Sequence, residues 1–118
     1  MPEGKKARLD IIDAVMDTEE TVTVDVLALL FDPGGGLKKR EAEGHLVLTD
    51  RRLIFATTNH GILVDLTRQA TVAPVAVTYR WMMARLVVGA DVGTTYTFVV
   101  NKGAARDIAS ALNRKRAN

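Results

Sequence analysis

Two apolar runs only two residues apart constrain this chain more than anything else in it. Gly44-His45-Leu46-Val47-Leu48-Thr49 is followed, after Asp50-Arg51, by Arg52-Leu53-Ile54-Phe55-Ala56-Thr57. A connection that short joins antiparallel neighbours, because a parallel crossover needs a dozen or more residues. The pattern continues in both directions. Upstream, polar Thr21, Thr23 and Asp25 alternate with Val22, Val24 and Val26, after which Leu27-Ala28-Leu29-Leu30-Phe31 is wholly apolar. That reads as a strand half-buried at its start and buried at its end. Asp32-Pro33-Gly34-Gly35-Gly36 stops it, and residues 32–43 are expected to form a loop. Downstream, Asn59-His60-Gly61 turns the chain into a strand over residues 62–66. Residues 70–79 are less regular, and Pro74 puts their middle at an edge or a bulge. Residues 82–88 and 95–100 read as two final strands about a turn at Asp91-Val92-Gly93-Thr94.

Helical periodicity is confined to the two ends. Over residues 7–17, Leu9, Ile12, Val15 and Met16 gather on one face, with Asp10, Asp13 and Asp17 largely opposite. Over residues 102–115, Ala104, Ala105, Ile108, Ala109 and Leu112 form an apolar stripe, with Arg106, Asp107 and Asn113 facing away. Asn101 or Lys102-Gly103 starts this second helix, and Arg114-Lys115-Arg116 suits its negative pole. The expected fold is therefore mainly β: a bent antiparallel barrel of about seven strands over residues 20–100, with a short N-terminal helix and a C-terminal helix over an open mouth. At 118 residues and 47% hydrophobic, residues 1–118 form one domain around one core.

Charge divides along the chain. Residues 1–37 hold three basic and eight acidic side chains, whereas residues 38–118 hold thirteen basic and six acidic. The positive half carries the blocks Lys38-Lys39-Arg40, Arg51-Arg52 and Arg114-Lys115-Arg116. Such a split implies either an anionic partner or attraction within one fold. No apolar run reaches the ~20 residues that cross a bilayer, and Met-Pro-Glu-Gly-Lys-Lys lacks a signal's apolar core. With no cysteine there are no disulfides, thiolate ligands or thiol nucleophiles, and a cytoplasmic location is expected.

The stretch from Gly44 through Thr49-Asp50-Arg51-Arg52-Leu53-Ile54-Phe55 resembles the signature hairpin of bacterial pleckstrin-homology-like and GRAM-type domains. Glu19-Glu20-Thr21-Val22 is similar to the Gly-Glu pair opening that family's first strand, with a threonine where glycine is usual. Tyr96-Thr97-Phe98 is similar to the aromatic pair of its last strand. The likeness spans roughly residues 18–116, and only its central dozen residues are specific. It implies a strongly bent seven-stranded barrel capped by the C-terminal helix. Within that hairpin, Leu46, Leu48, Leu53 and Phe55 are expected to line the interior, and Asp50 to turn the chain by bonding its own backbone. Arg51 and Arg52 pair with carboxylates or shield a sheet edge.

Catalytic chemistry finds no foothold in the residue inventory. His45 and His60 have no nucleophile or metal-ligand spacing around them, and the glycines do not lead into a phosphate-cradling lysine. The expectation is a non-catalytic binding module without metal or cofactor. Two kinds of partner are open. The resemblance implies protein contacts along a strand edge or beside the final helix, and its bacterial members are frequently oligomeric. Trp81-Met82-Met83 is suitable contact material if exposed, and core or barrel-rim packing if buried. The alternative is an anionic lipid surface at the inner face of the membrane, met by Lys38, Lys39 and Arg40 beside the flexible glycines. The second strand offers His45, Leu46 and Val47 where a phosphoinositide site places a basic pair. Nucleic acid is not expected, since the six aromatic residues form no stacking pattern.

Overall fold

The Asp50-Arg51 connection is a tight hairpin in the computed structural model, which describes residues 10–31, 41–91 and 93–117. The chain runs α1 (Asp10–Val15), β1 (Val22–Phe31), β2 (Glu41–Thr49), β3 (Arg52–Thr57) and β4 (Gly61–Thr67). A single 3-10 turn (Arg68–Ala70) leads into β5 (Thr71–Arg80), β6 (Met83–Ala90), β7 (Thr95–Asn101) and α2 (Lys102–Ala117). Among the described residues the seven strands form one antiparallel sheet in the order β4-β3-β2-β1-β7-β6-β5. The expected bent barrel is thus a curled half-barrel, with β4 and β5 as its two edges.

One strand holds the halves together. β1 pairs with β2 along its length, but with β7 only through Leu29–Val99, Leu30–Phe98 and Phe31–Thr97. The inner face follows from period-two alternation. Ala28 and Leu30 of β1, Leu46 and Leu48 of β2, Leu53 and Phe55 of β3, Leu86 and Val88 of β6, and Phe98 and Val100 of β7 share one buried core. The Phe55 and Phe98 rings meet there, centroids 5.5 Å apart and tilted by 53°, a geometry that adds to the area they bury. The α2 stripe Ala104, Ala105, Ile108, Ala109 and Leu112 closes the inner face. Its start is capped by Asn101, whose Oδ1 accepts from the Ala104 N–H at 2.8 Å. On the outer face, Ile12 and Met16 pack on Val47, Ile54 and Ala56.

Several expectations change. Glu41-Ala42-Glu43 lies in β2 and not in a loop, with Ala42 turned inward opposite Leu30; residues 32–40 lie outside the described residues. The stretch over residues 70–79 is a continuous strand, and Pro74 sits where the register shifts between Val72 and Ala76 on the outermost strand. Both positions spare a ladder bond that proline cannot donate. Met82 belongs to a turn, not to β6. The helix described at the N-terminal end is the six-residue α1, with Val15 exposed; residues 7–9 lie outside the described residues. The turn chemistry belongs to Thr49, whose Oγ1 accepts from the N–H groups of Arg51 and Arg52, both at 3.0 Å. Asp50 instead takes the Thr21 N–H at 2.9 Å. Asn113 does not face away: it reaches the edge of β5.

Phe55 and Phe98 are the largest fully buried side chains among the described residues. Phe55→Ala should therefore cost about 3–5 kcal/mol in urea unfolding, and a loss below ~1 kcal/mol would contradict the packing described.

Candidate functional site

The β5–β6 hairpin projects the most exposed apolar side chains of the described residues. β5 ends and β6 begins at the pair Arg80–Met83, leaving Trp81 and Met82 as a two-residue turn. Trp81 is 91% exposed, Met82 74% and Met83 41%. The Trp81 backbone is left-handed, with φ at 46°. Two-residue hairpins need such a conformation to match the right-handed strand twist, and they normally place glycine, asparagine or aspartate there. A bulky side chain in that region costs ~1–2 kcal/mol. Of the two alternatives for Trp81-Met82-Met83, core packing is excluded and exposure is found.

Among the described residues, the strand edge beside this tip is sealed at Val75. Asn113 Oδ1 accepts from the Val75 N–H at 2.8 Å, and its Nδ2 donates to the Val75 carbonyl at 3.1 Å. One side-chain amide thereby stands in for a neighbouring strand. Main-chain groups of alternate residues point to the same side of a strand, so those of Val77 and Tyr79 face the same outer edge. No described residue pairs with them. The residues over Thr71–Ala90 include Arg80 and Arg85 and no carboxylate.

The arginines of the β2–β3 hairpin have a structural task. Arg52 Nε donates to Glu20 Oε2 at 2.9 Å and Nη2 to Glu20 Oε1 at 2.8 Å, a fork-to-fork pair. Nη2 also donates to the Val15 carbonyl at the end of α1 (2.9 Å), and Nη1 to Asp65 of β4 (3.2 Å). The Glu20 side chain is fully buried and takes a third bond from Thr49 Oγ1 at 2.5 Å. Arg51 pairs with Asp17 at 2.6 Å. The cluster ties α1, the lead into β1, the hairpin and β4 together. Sequence reading anticipated carboxylate partners for these arginines but not a buried one. The Arg52 hydrogen bonds hold the Glu20 carboxyl down to about 2 from 4.5, against burial, which raises it, and with help from Thr49 and the Asp17 N–H. The same pairing raises the Arg52 guanidinium.

A second surface feature is a cleft of about 610 Å³ lined by Leu27, Glu41 to His45, and Thr57 to His60. Gly44, in its lining, lies so close to β3 that a Cβ there would collide with the Ala56 carbonyl. His45 lies in it with Nδ1 buried and no hydrogen-bond partner among the described residues. Among those residues no three His, Asp or Glu side chains are grouped to hold a metal ion, and no helix is long and apolar enough to cross a membrane. Lys38, Lys39 and Arg40 lie outside the described residues. Comparison with known protein families and with curated proteins finds no match to this chain.

The Glu20 shift fixes a sign for acid unfolding. Its folded value lies below its ordinary one, so the stabilisation is complete above pH 4.5 and is lost as pH falls from 4.5 to about 2. Glu20→Gln should lower stability at neutral pH by roughly 3 kcal/mol and flatten the loss over that interval. Urea midpoints measured from pH 7 to pH 2 check this, and parallel acid profiles for the two proteins would contradict it.

Proposed function

We propose that the chain is a non-catalytic binding module of pleckstrin-homology-like type that contacts another protein, or a second copy of itself, through the β5–β6 hairpin. The observation that carries this reading is Trp81, exposed on left-handed backbone at the tip. Neither packing nor turn formation accounts for a tryptophan there, since it touches no core and glycine would turn the chain at lower cost. Backbone strain kept without local return is a pointer to function. Trp and Met supply large adaptable contact area, and the open main chain at Val77 and Tyr79 offers the bonds by which a partner strand extends a sheet.

Trp81→Gly separates the two roles. If the side chain serves contact alone, the variant should unfold later than the wild type, by about 1 kcal/mol. A photo-crosslinking benzoylphenylalanine at Met82, in cells expressing the protein, should then give covalent protein adducts that Trp81→Gly abolishes. The same probe at exposed Thr94 is the control. Destabilisation by glycine, or adducts from the two positions in equal yield, would contradict the reading.

A further inference from the structure

The outer face of the sheet holds a row of side chains that complements itself. Residues directly opposite one another on paired strands share a face. Glu43 of β2 is opposite Leu29 of β1, Leu29 is opposite Val99 of β7, and Val99 is opposite Arg85 of β6. These four therefore form one line across the outer face, acid, apolar, apolar, base, spanning about 14 Å at ~4.8 Å per strand. The neighbouring rows keep acid on the β2 side in one case and base on the β5 side in the other. Glu41, Phe31, Thr97 and Val87 form one, and Asn101, Met83 and Arg80 lie in another on the basic side. The Arg85 guanidinium leans in over the Phe31 ring, 5.4 Å from its centroid.

This face also answers a question posed by β1. Leu27, Leu29 and Phe31 point outward from a strand whose alternate residues Ala28 and Leu30 fill the core. Strands apolar on both faces are normally covered on both. α1 covers Val47, Ile54 and Ala56; on the line from Leu27 to Met83, Leu29, Phe31 and Val99 are only half-buried, and Leu27 and Met83 are exposed, Leu27 to 59%.

The geometry points to a second copy of this chain as the occupant, related by a two-fold axis through the midpoint of Leu29 and Val99. This rests on the reading of the chain as a contact module and names its partner. A two-fold axis there exchanges β1 with β7 and β2 with β6 of the other copy. Glu43 then meets Arg85 of the second copy, and Arg85 meets its Glu43, while Leu29 packs on Val99 in both directions. Such isologous self-complementarity is what closed dimers require. The same rotation carries each Trp81-Met82 tip toward the other copy's β2–β3 side, which carries α1 over Val47, Ile54 and Ala56. The central stripe is small beside the ~800 Å² per partner of a stable complex, so the association is weak, reversible and lowered by salt.

Sedimentation velocity on the full 118-residue chain tests this. Glu43 and Arg85 are both exposed, so reversing either charge leaves the fold intact, as thermal unfolding will verify. The wild type should dimerise with rising concentration. Glu43→Arg alone and Arg85→Glu alone should each weaken that by roughly tenfold or more, by setting like charges opposite. An equimolar mixture of the two variants should form a one-to-one heterodimer, because both contacts are then attractive. A wild type that stays monomeric at millimolar concentration, single reversals without effect, or a mixture that fails to pair would each overturn the inference. A monomeric chain that still gives Trp81-dependent adducts with another protein would overturn it while leaving the contact-module reading in place.

Discussion

Three residue pairs between β1 and β7 make one sheet out of two meanders, and most of the structure depends on them. Strands β1 to β4 follow one another in antiparallel pairs, as do β5 to β7; among the described residues, Leu29, Leu30 and Phe31 make the strand pairing that joins the sets. The seam demands apolar side chains inside, where Leu30 and Phe98 stand opposite each other and Phe98 meets Phe55. It also aligns the outer residues of four strands into rows. A single constraint therefore sets both the core and the surface through which copies are proposed to meet.

The Glu20–Arg52 pair does a different job. A buried ion pair contributes little net stability, because desolvation offsets attraction, yet removing one partner leaves an uncompensated charge. Here the pair also fixes position: Arg52 binds the end of α1, the lead into β1 and β4 at once. That holds α1 over Val47, Ile54 and Ala56, away from the outer face of the seam, where Leu29, Phe31 and Val99 stay half-buried.

Much of the fold was legible because its connections are short. The two-residue gap at Asp50-Arg51 dictated the hairpin, and Pro74 announced an edge or a bulge where the strand has both. What escaped has physical reasons. Glu41-Ala42-Glu43 alternates like a strand, but alanine is too small to register as an apolar beat. Nothing local to Glu20 reveals its partner, an arginine 32 residues away. Asn113 looks like a surface residue until its amide is found on Val75. For the site, Trp81-Met82-Met83 was visible as contact material, but whether it faced water was not. The row Glu43, Leu29, Val99, Arg85 was beyond reach because it depends on register across three strand pairs; its one local sign was the apolar end of β1.

Trp81 is the only tryptophan of the chain, so its fluorescence reports the proposed contact without a label. Acrylamide quenching measured over a dilution series tests the central claim most directly. The account predicts an indole fully open to quencher in dilute solution and progressively shielded as concentration rises, with the shielding reversed by salt. Quenching that stays the same from the most dilute to the most concentrated sample would contradict it.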